Sequence, residues 1–284
     1  MILIGKFNLL KIVRKTGFGY YLDAKTGKTS DDILLPNKNA LENELSIGDE
    51  VNAFIYRDSK DRVIATLKSP AAVVGEIALL KVVSRVDFGY FVDIGLERDI
   101  LAPISEQKYT LEVGKYYPFY IYLDKTSRIA ATTDIGRYLL EVEDKDEKYH
   151  IGAEVRGIVY GFQTNNSAMV VVDKKYTGVI LSNEYFTKLK IGDELNLRVK
   201  KIYEDGKLGL TPRKTPKYER LSLEDTILDY LKCHNGFMPY NDKSSPDDIK
   251  KVFHESKNYF KNALGGLMRR NLIYQDKNGT KLIR

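Results

Sequence analysis

Two short stretches of this sequence place aromatic residues on both sides of a glycine. They are Phe18-Gly19-Tyr20-Tyr21 and, seventy positions later, Phe88-Gly89-Tyr90-Phe91. Exposed aromatic rings offer flat surfaces on which nucleobases stack, and each stacked base contributes ~1 to 3 kcal/mol to binding. Buried rings would instead belong to a hydrophobic core, which is the commoner place for Phe and Tyr in a strand. The elements around the rings decide between these two alternatives.

Both stretches belong to a longer internal repeat. Further blocks match in the same order, DDILLP with RDILAP, LSIGDEV with LEVGKYY, and DRVIAT with SRIAAT. A third, more diverged copy opens with IGAEVRGIVYGF and lacks the aromatic and glycine stretch. Ordered blocks that recur in this way indicate a duplicated domain. We predict three copies, at residues 1–69, 71–136 and 148–213.

Each copy is predicted to form five short strands. In the second copy, Gly, Asp, Pro or Lys residues separate five runs that are rich in strand-forming residues, EIALLKVVS, YFVDI, ILAPI, YPFYIYLD and RIAAT. A closed five-stranded barrel leaves no exposed sheet edge, whereas the alternative, a β-sandwich, usually has about seven strands. We therefore expect a mainly β protein with three tandem five-stranded barrels of the OB-fold type.

The pattern changes to helices after a polar segment at residues 213–221. Ser222 is predicted to cap a first helix, and Ser245, followed by Pro246, a second. A third helix carries an apolar face, and the last residues form two short strands around Asn278-Gly279, a strong hairpin signal. Three helices and a hairpin predict an α/β winged-helix domain at residues 220–284.

Composition and spacing argue against several classes of protein. The formal net charge of +6 favours polyanionic partners only mildly, and Cys233, the single cysteine, excludes an intramolecular disulfide. The three histidines are scattered, no phosphate-binding loop occurs, and no run approaches the ~18 to 20 apolar residues of a membrane helix. We expect a cytoplasmic protein that is not an enzyme, with no metal, no cofactor and no membrane association.

The barrels resemble S1 RNA-binding domains. The second copy keeps the F-G-x-F-V element as FGYFV, and the third keeps the opening glycines and valines and GVILS. Three such barrels followed by a domain containing NDKSSPDDIKKVF and FKNALGGL resemble the conserved virulence factor B family of bacterial RNA-binding regulators. The resemblance covers nearly the whole chain and implies binding of single-stranded RNA in preference to DNA. It further implies post-transcriptional control of gene expression, including virulence genes.

The S1 resemblance also implies particular binding residues in the barrels. The two aromatics of each F-G-x-F element should share one outer face, and we expect the central glycine to provide a bulge that allows this. The S1 pattern adds an acidic residue four positions before a basic one near the last strand. The barrel residues implied in this way are Phe18, Tyr21, Asp58, Arg62, Phe88, Phe91, Asp124 and Arg128, with Phe162 and Lys207 in the third copy.

The winged-helix domain supplies further candidates. A third helix of this fold normally enters a nucleic-acid groove while the wing contacts the backbone. The basic residues on or beside these elements are Lys257, Lys261, Arg269, Arg270, Lys277 and Lys281. Residues 71–145 carry a net charge of −3 and residues 216–284 one of +4, so we expect phosphate contacts mainly in the C-terminal half.

Two other functions fit the same sequence. The winged helix could make the protein a DNA-binding transcription regulator, since this fold commonly binds duplex DNA. The barrels could instead bind protein, which would make the chain an interaction scaffold or a ribosome-associated protein. Preference for duplex DNA would favour the first alternative, and loss of the aromatic rings without effect on RNA binding would favour the second. The oligomeric state is not encoded in any pattern that we recognise.

Overall fold

The computed structural model describes residues 2–41, 44–143, 146–213 and 216–283, and for residues 216–222 it describes the backbone alone. The chain forms three closed β-barrels in succession and then a small domain with three helices and a three-stranded sheet. The predicted fold class is confirmed.

The first barrel shows how each repeat closes. Its five strands are β1 (Phe7–Thr16), β2 (Gly19–Leu22), β3 (Ile33–Pro36), β4 (Glu50–Arg57) and β5 (Val63–Thr66). The strands follow the order β1-β2-β3-β5-β4, and β4 pairs with β1 to close the barrel. Only β3 and β5 run parallel; the other pairs are antiparallel. Closure leaves every strand with two neighbours and so removes the sheet edges.

The other two barrels repeat this topology. The second consists of β6 (Ile77–Val86), β7 (Gly89–Asp93), β8 (Ile100–Pro103), β9 (Tyr116–Leu123) and β10 (Ile129–Thr132). The third consists of β11 (Glu154–Phe162), β12 (Ala168–Val172), β13 (Tyr176–Ile180), β14 (Glu194–Ile202) and β15 (Leu208–Thr211). The strand order is the same in all three barrels.

Alternation along the short strands separates core from surface. In β2, Tyr20 and Leu22 are buried inside the first barrel, and Tyr21 between them points to the outer side. In β7, Tyr90 and Val92 are buried in the same way around Phe91. The middle aromatic of each repeat therefore belongs to the core, and the outer aromatics are left on the surface.

Apolar contacts join neighbouring barrels. Phe54 and Tyr56 on the outer face of β4 pack with Leu96 and Ile129 of the second barrel. A second cluster, between the second and third barrels, contains Ile77, Leu79, Tyr120, Ile135, Ile158 and Val171. These contacts set each barrel directly against the next.

The C-terminal domain has the winged-helix order of elements. These are α1 (Pro216–Cys233), β16 (Phe237–Met238), α2 (Pro246–Phe253), α3 (Lys257–Arg269), β17 (Ile273–Asp276) and β18 (Gly279–Leu282). Ser245 caps α2 as predicted, since its Oγ accepts a hydrogen bond from the amide of Asp248 at 3.1 Å. The sheet has the order β16-β18-β17, and the wing is the β17–β18 hairpin.

Two boundaries differ from the prediction. The first helix begins at Pro216, so Ser222 lies inside the helix and is not its cap. The segment 216–221 contains no helix breaker beyond its proline, and proline is well tolerated at the first helical position. The turn of the wing consists of Lys277 and Asn278, so Gly279 is the first residue of β18.

The glycine pair of α3 provides a stability test with a built-in control. A methyl group at Gly266 would lie 1.8 Å from Oε1 of Glu224, a buried carboxylate that accepts a 2.7 Å hydrogen bond from Arg270. At Gly265 it would meet no atom of the described residues within 4 Å. We expect Gly266→Ala to destabilise the domain by about 1 to 3 kcal/mol because the carboxylate must shift. Gly265→Ala should stabilise it by up to about 1 kcal/mol.

Denaturant unfolding followed by the helical circular dichroism signal measures both variants. Equal stability of the two alanine variants would show that the space beside Glu224 does not matter.

Of the helices in the described part of the chain, none is long and apolar enough to cross a membrane.

Candidate nucleic-acid interface

The first aromatic pair lies on one side of the first barrel. Phe18 stands in the turn between β1 and β2 and is 59% exposed, whereas Tyr21 is half-buried. Their ring centroids are 6.3 Å apart with an angle of 77° between the planes. The guanidinium of Arg14 lies 3.9 Å from the centroid of Tyr21. We call Phe18 and Tyr21 the first platform.

The reason for this shared face differs from the expected glycine bulge. The register shift lies on the facing strand, between Ile12 and Arg14, and Phe18 belongs to the turn, where strand alternation does not apply. Gly19 is needed for another reason, because a Cβ there would lie 2.4 Å from the carbonyl oxygen of Leu35. The glycine thus permits close approach of β3.

The second aromatic pair lies in a cleft between the first two barrels. Phe88 is 63% exposed, and both Phe88 and Phe91 line this cleft of about 400 Å³. We call these two rings the second platform and the space beside them the junction cleft. Across the strands, Phe91 lies opposite Leu101, and the row continues through Ala130 to Tyr122, which also lines the cleft.

Both barrels contribute to the walls of the junction cleft. The first barrel supplies Tyr56, Arg57, Asp58 and Ser59, and the second supplies a further set, Leu96, Arg98, Asp99, Ile100, Pro103, Asp124, Arg128 and Ile129. Burial raises the pKa of Asp99, with a smaller contribution from Asp93. The aromatic floor is suited to base stacking, and the walls carry three arginines and three aspartates.

The third barrel lacks an equivalent aromatic surface. At the positions that correspond to Tyr21 and Tyr56 it carries Met169 and Lys201, as the strand pairing shows. Phe162, at the end of β11, is 37% exposed and has no ring partner among the described residues. The structure therefore leaves Phe162 without a second ring to form a platform.

The acidic and basic pairs of the first two barrels differ. Arg62 donates to Oδ2 of Asp58 from Nε at 2.9 Å and from Nη2 at 2.6 Å, as the spacing suggests. Arg128 instead donates to Asp61 of the first barrel, at 2.9 and 2.5 Å. The guanidinium of Arg128 lowers the pKa of Asp61. The four-residue spacing alone therefore does not set the side-chain partner.

Asp124 has a different role in its loop. Its carboxylate accepts hydrogen bonds from the amides of Thr126 and Arg128 and from the Thr126 hydroxyl, at 2.7 to 3.0 Å. Burial acts to raise the pKa of Asp124, but these hydrogen bonds outweigh it and leave the pKa lowered. In the third barrel, the carboxylate of Asp205 accepts a 3.1 Å hydrogen bond from the amide of Lys207 in a similar loop and lies 3.2 Å from the Lys207 ammonium. Asp124 and Asp205 thus order loops.

The six basic candidates of the winged helix fall into two groups. Arg270 is bound to buried Glu224, and Lys281 lies 2.9 Å from Asp276. The side chains of these two residues are therefore engaged in ion pairs within the domain. The remaining four, which have no hydrogen bond or ion pair from their side chains to the described residues, are Lys257, Lys261, Arg269 and Lys277. Lys257 is half-buried and the other three are exposed.

Several residues of the cleft escaped the sequence analysis. Tyr56, Arg57, Tyr122 and Arg98 belong to strands or loops whose neighbours only the tertiary structure defines. Arg98 could have been noticed in the sequence, because the second repeat has this arginine where the first has Asp31 in the aligned blocks RDILAP and DDILLP. In the described part of the chain, no group of three or more His, Cys, Asp or Glu residues could hold a metal ion.

Fold and surface define the class of protein: tandem OB-type barrels with exposed aromatic platforms, followed by a winged helix. The S1 domain family matches residues 4–68 and 74–134, and the CvfB-like winged helix domain family matches residues 225–282. The chain belongs to the conserved virulence factor B family, with S1 domains and a CvfB-like winged helix.

Individual relatives cover nearly the whole chain. YitL of Bacillus subtilis, described as uncharacterized, is 34% identical over 95% of this chain and 91% of its own. Conserved virulence factor B of Staphylococcus epidermidis is 27% identical over 95% of this chain and 92% of its own. A crystal structure of a multidomain protein with nucleic acid binding domains from Streptococcus pneumoniae is 27% identical, with a TM-score of 0.48, and covers 99% of this chain and 98% of its own.

Proposed function

We propose that this protein binds single-stranded RNA through the two aromatic platforms and exposed cations. The observation that carries the proposal is Phe88, a large apolar ring that is 63% exposed beside Phe91 and within reach of arginines. An exposed apolar ring beside a second ring forms a patch suited to a partner, and a base covers a ring well. The outer rows of the first two barrels supply such surfaces, and membership of the S1 family supports the same function.

The cellular role is an inference from the family. We propose that the protein is a non-enzymatic, cytoplasmic regulator that controls gene expression after transcription. The regulated genes would include virulence genes, as the name of the staphylococcal relatives suggests. Association with the ribosome would be compatible with this role. We propose functional units at residues 1–69, 71–136, 148–213 and 220–284.

The phosphate contacts are proposed to come from both halves of the molecule. Arg62 and Arg128 are exposed at the first two barrels even though each is ion-paired, and Lys261, Arg269 and Lys277 are exposed on the winged helix. Arg and Lys both neutralise phosphate, and Arg can also stack on bases. The acidic character of residues 71–145 therefore does not exclude a binding site on the second barrel.

A filter-binding titration over a range of salt concentrations tests the proposal. Single-stranded RNA should bind more tightly than duplex DNA of the same length, and the affinity should fall as salt rises. With one phosphate contact from each of these five cations, the slope of log K against log salt should be about −3.5, at about −0.7 for each contact. Tighter binding of duplex DNA would favour the transcription-regulator alternative, in which the exposed cations of α3 contact a DNA groove.

A further inference from the structure

The junction cleft adjoins a second groove on the first barrel. This barrel 1 groove, of about 240 Å³, is lined by Leu34, Pro36, Lys38, Arg62, Ile64 and Glu97, among others. Four residues line both spaces, Tyr56, Asp58, Ser59 and Arg98. The cleft and the groove are therefore contiguous.

The far end of the barrel 1 groove lies beside the first platform. Leu34 is the β3 residue directly opposite Tyr21, and Pro36 is directly opposite Gly19, which follows Phe18 in the chain. Directly opposed residues on antiparallel strands lie about 4.5 to 5.5 Å apart. The two platforms, which the sequence presents as separate copies, thus border two adjoining grooves.

Arg98 lines both the junction cleft and the barrel 1 groove. It is exposed, and its side chain makes no hydrogen bond or ion pair with the residues that the structure describes. The other cations that line these two spaces are engaged, Arg62 by Asp58, Arg128 by Asp61, Lys38 by Glu97 and Arg57 by the carbonyl oxygen of Asp61. A free guanidinium between two stacking surfaces is well placed to contact phosphate.

Contacts across the junction hold the two platforms in a fixed relation. Arg128 reaches Asp61 at 2.5 Å, and Lys38 reaches Glu97 at 2.8 Å, each pair joining the first barrel to the second. The apolar cluster around Phe54 adds to these pairs. A ligand that touches both platforms therefore loses less free energy in ordering the protein than one that must bring two free domains together.

We propose that the first two barrels bind one RNA strand between them. Bases stack on both platforms, and Arg98 contacts the phosphate backbone where the strand crosses from one barrel to the other. Exposed rings at both ends and an unpaired arginine at the centre favour a single-stranded nucleic acid over an apolar peptide. This inference rests on the proposed RNA-binding function and adds the geometry of the bound strand.

The test measures the affinity and the stoichiometry of a 12-nucleotide oligouridylate with the full-length protein. Fluorescence anisotropy gives the affinity, and native mass spectrometry gives the number of bound strands. Phe18→Ala/Tyr21→Ala should weaken binding by about tenfold or more and Phe88→Ala/Phe91→Ala by about 30-fold or more, and neither should change the number of strands bound. Arg98→Ala should weaken it about fivefold, because one phosphate contact is lost.

Arg137→Ala is the control for charge. Arg137 is an exposed arginine that, like Arg98, belongs to residues 71–145. It is paired with Asp134 and lies outside both grooves, so its loss should change the affinity by less than about twofold. Circular dichroism and thermal melting establish that each variant is folded.

Separate sites would give a different result. Removal of the first platform would then reduce the number of bound strands by one and leave the affinity of the remaining strand unchanged, which overturns the proposal. Equal effects of Arg98→Ala and Arg137→Ala would also contradict it. If RNA binds but tolerates every change in the first two barrels, the shared strand is refuted and RNA binding stands. If the wild-type protein binds no single-stranded RNA, both proposals fail.

Discussion

Replacing Phe88 and Phe91 together by alanine is expected to weaken binding of single-stranded RNA by about 30-fold or more. Each stacked base contributes ~1 to 3 kcal/mol, so loss of two rings removes at least about 2 kcal/mol, and 1.4 kcal/mol corresponds to a tenfold change in affinity. The fold should survive, because Phe88 is exposed and Phe91 lies on the outer side of β7. A binding titration at fixed salt measures the change.

Tyr116→Ala provides the matched control for this prediction. Tyr116 is an aromatic residue of the same barrel that is 56% exposed and lies outside the junction cleft. Its replacement should leave the affinity within about twofold of wild type, since no base is expected to stack there. Wild-type affinity in a folded Phe88→Ala/Phe91→Ala variant would show that the second platform does not stack bases and would favour a protein-binding scaffold. The single variant Phe88→Ala keeps the test valid if the double variant unfolds.

Gly19→Ala is expected to destabilise the first barrel by about 2 to 4 kcal/mol, the range of a severe local clash. The added Cβ would lie 2.4 Å from the carbonyl oxygen of Leu35 and 2.9 Å from Cα of Pro36. Both are backbone atoms of β3, so relief requires movement of the strand, which in turn is paired with β5 in the barrel. Side-chain rotation cannot resolve this contact.

Gly17→Ala, two residues earlier in the same turn, is the control. A methyl group at Gly17 meets no atom of the described residues within 4 Å, so we expect a change within about 1 kcal/mol. Because four domains need not unfold together, hydrogen exchange of the amides in β2 and β3 measures the effect better than a global transition does. Equal exchange rates in the two variants would contradict the prediction. Faster exchange in Gly17→Ala alone would show that Gly17, and not Gly19, is the position at which a methyl group destabilises the barrel.

Much of the fold was predictable from the sequence. The matched blocks predicted repeated domains, and runs of strand-forming residues between turn residues predicted five strands in each. Both signals are local in the sequence. The cap at Ser245 was equally local, because the capping side chain and its amide partner are three residues apart.

The partners of charged residues were less predictable. Arg128 could have paired with Asp124 four residues away, yet it binds Asp61, 67 positions earlier. Arg270, a candidate nucleic-acid contact, is bound to Glu224, which lies 46 positions before it. A long side chain pairs with whichever carboxylate the packing brings near, and sequence spacing limits only the partners on the same element.

The repeated strands and the order of elements in the winged helix could be read from the sequence, because they depend on short-range patterns and turn chemistry. The position of Phe88 and Phe91 at a cleft, and of Arg98 between the two platforms, follows from the tertiary structure alone. The physical reason is that the cleft is a property of two barrels packed together. Its walls come from segments that are distant in the chain and are brought together by the contacts around Phe54 and by the Asp61–Arg128 pair.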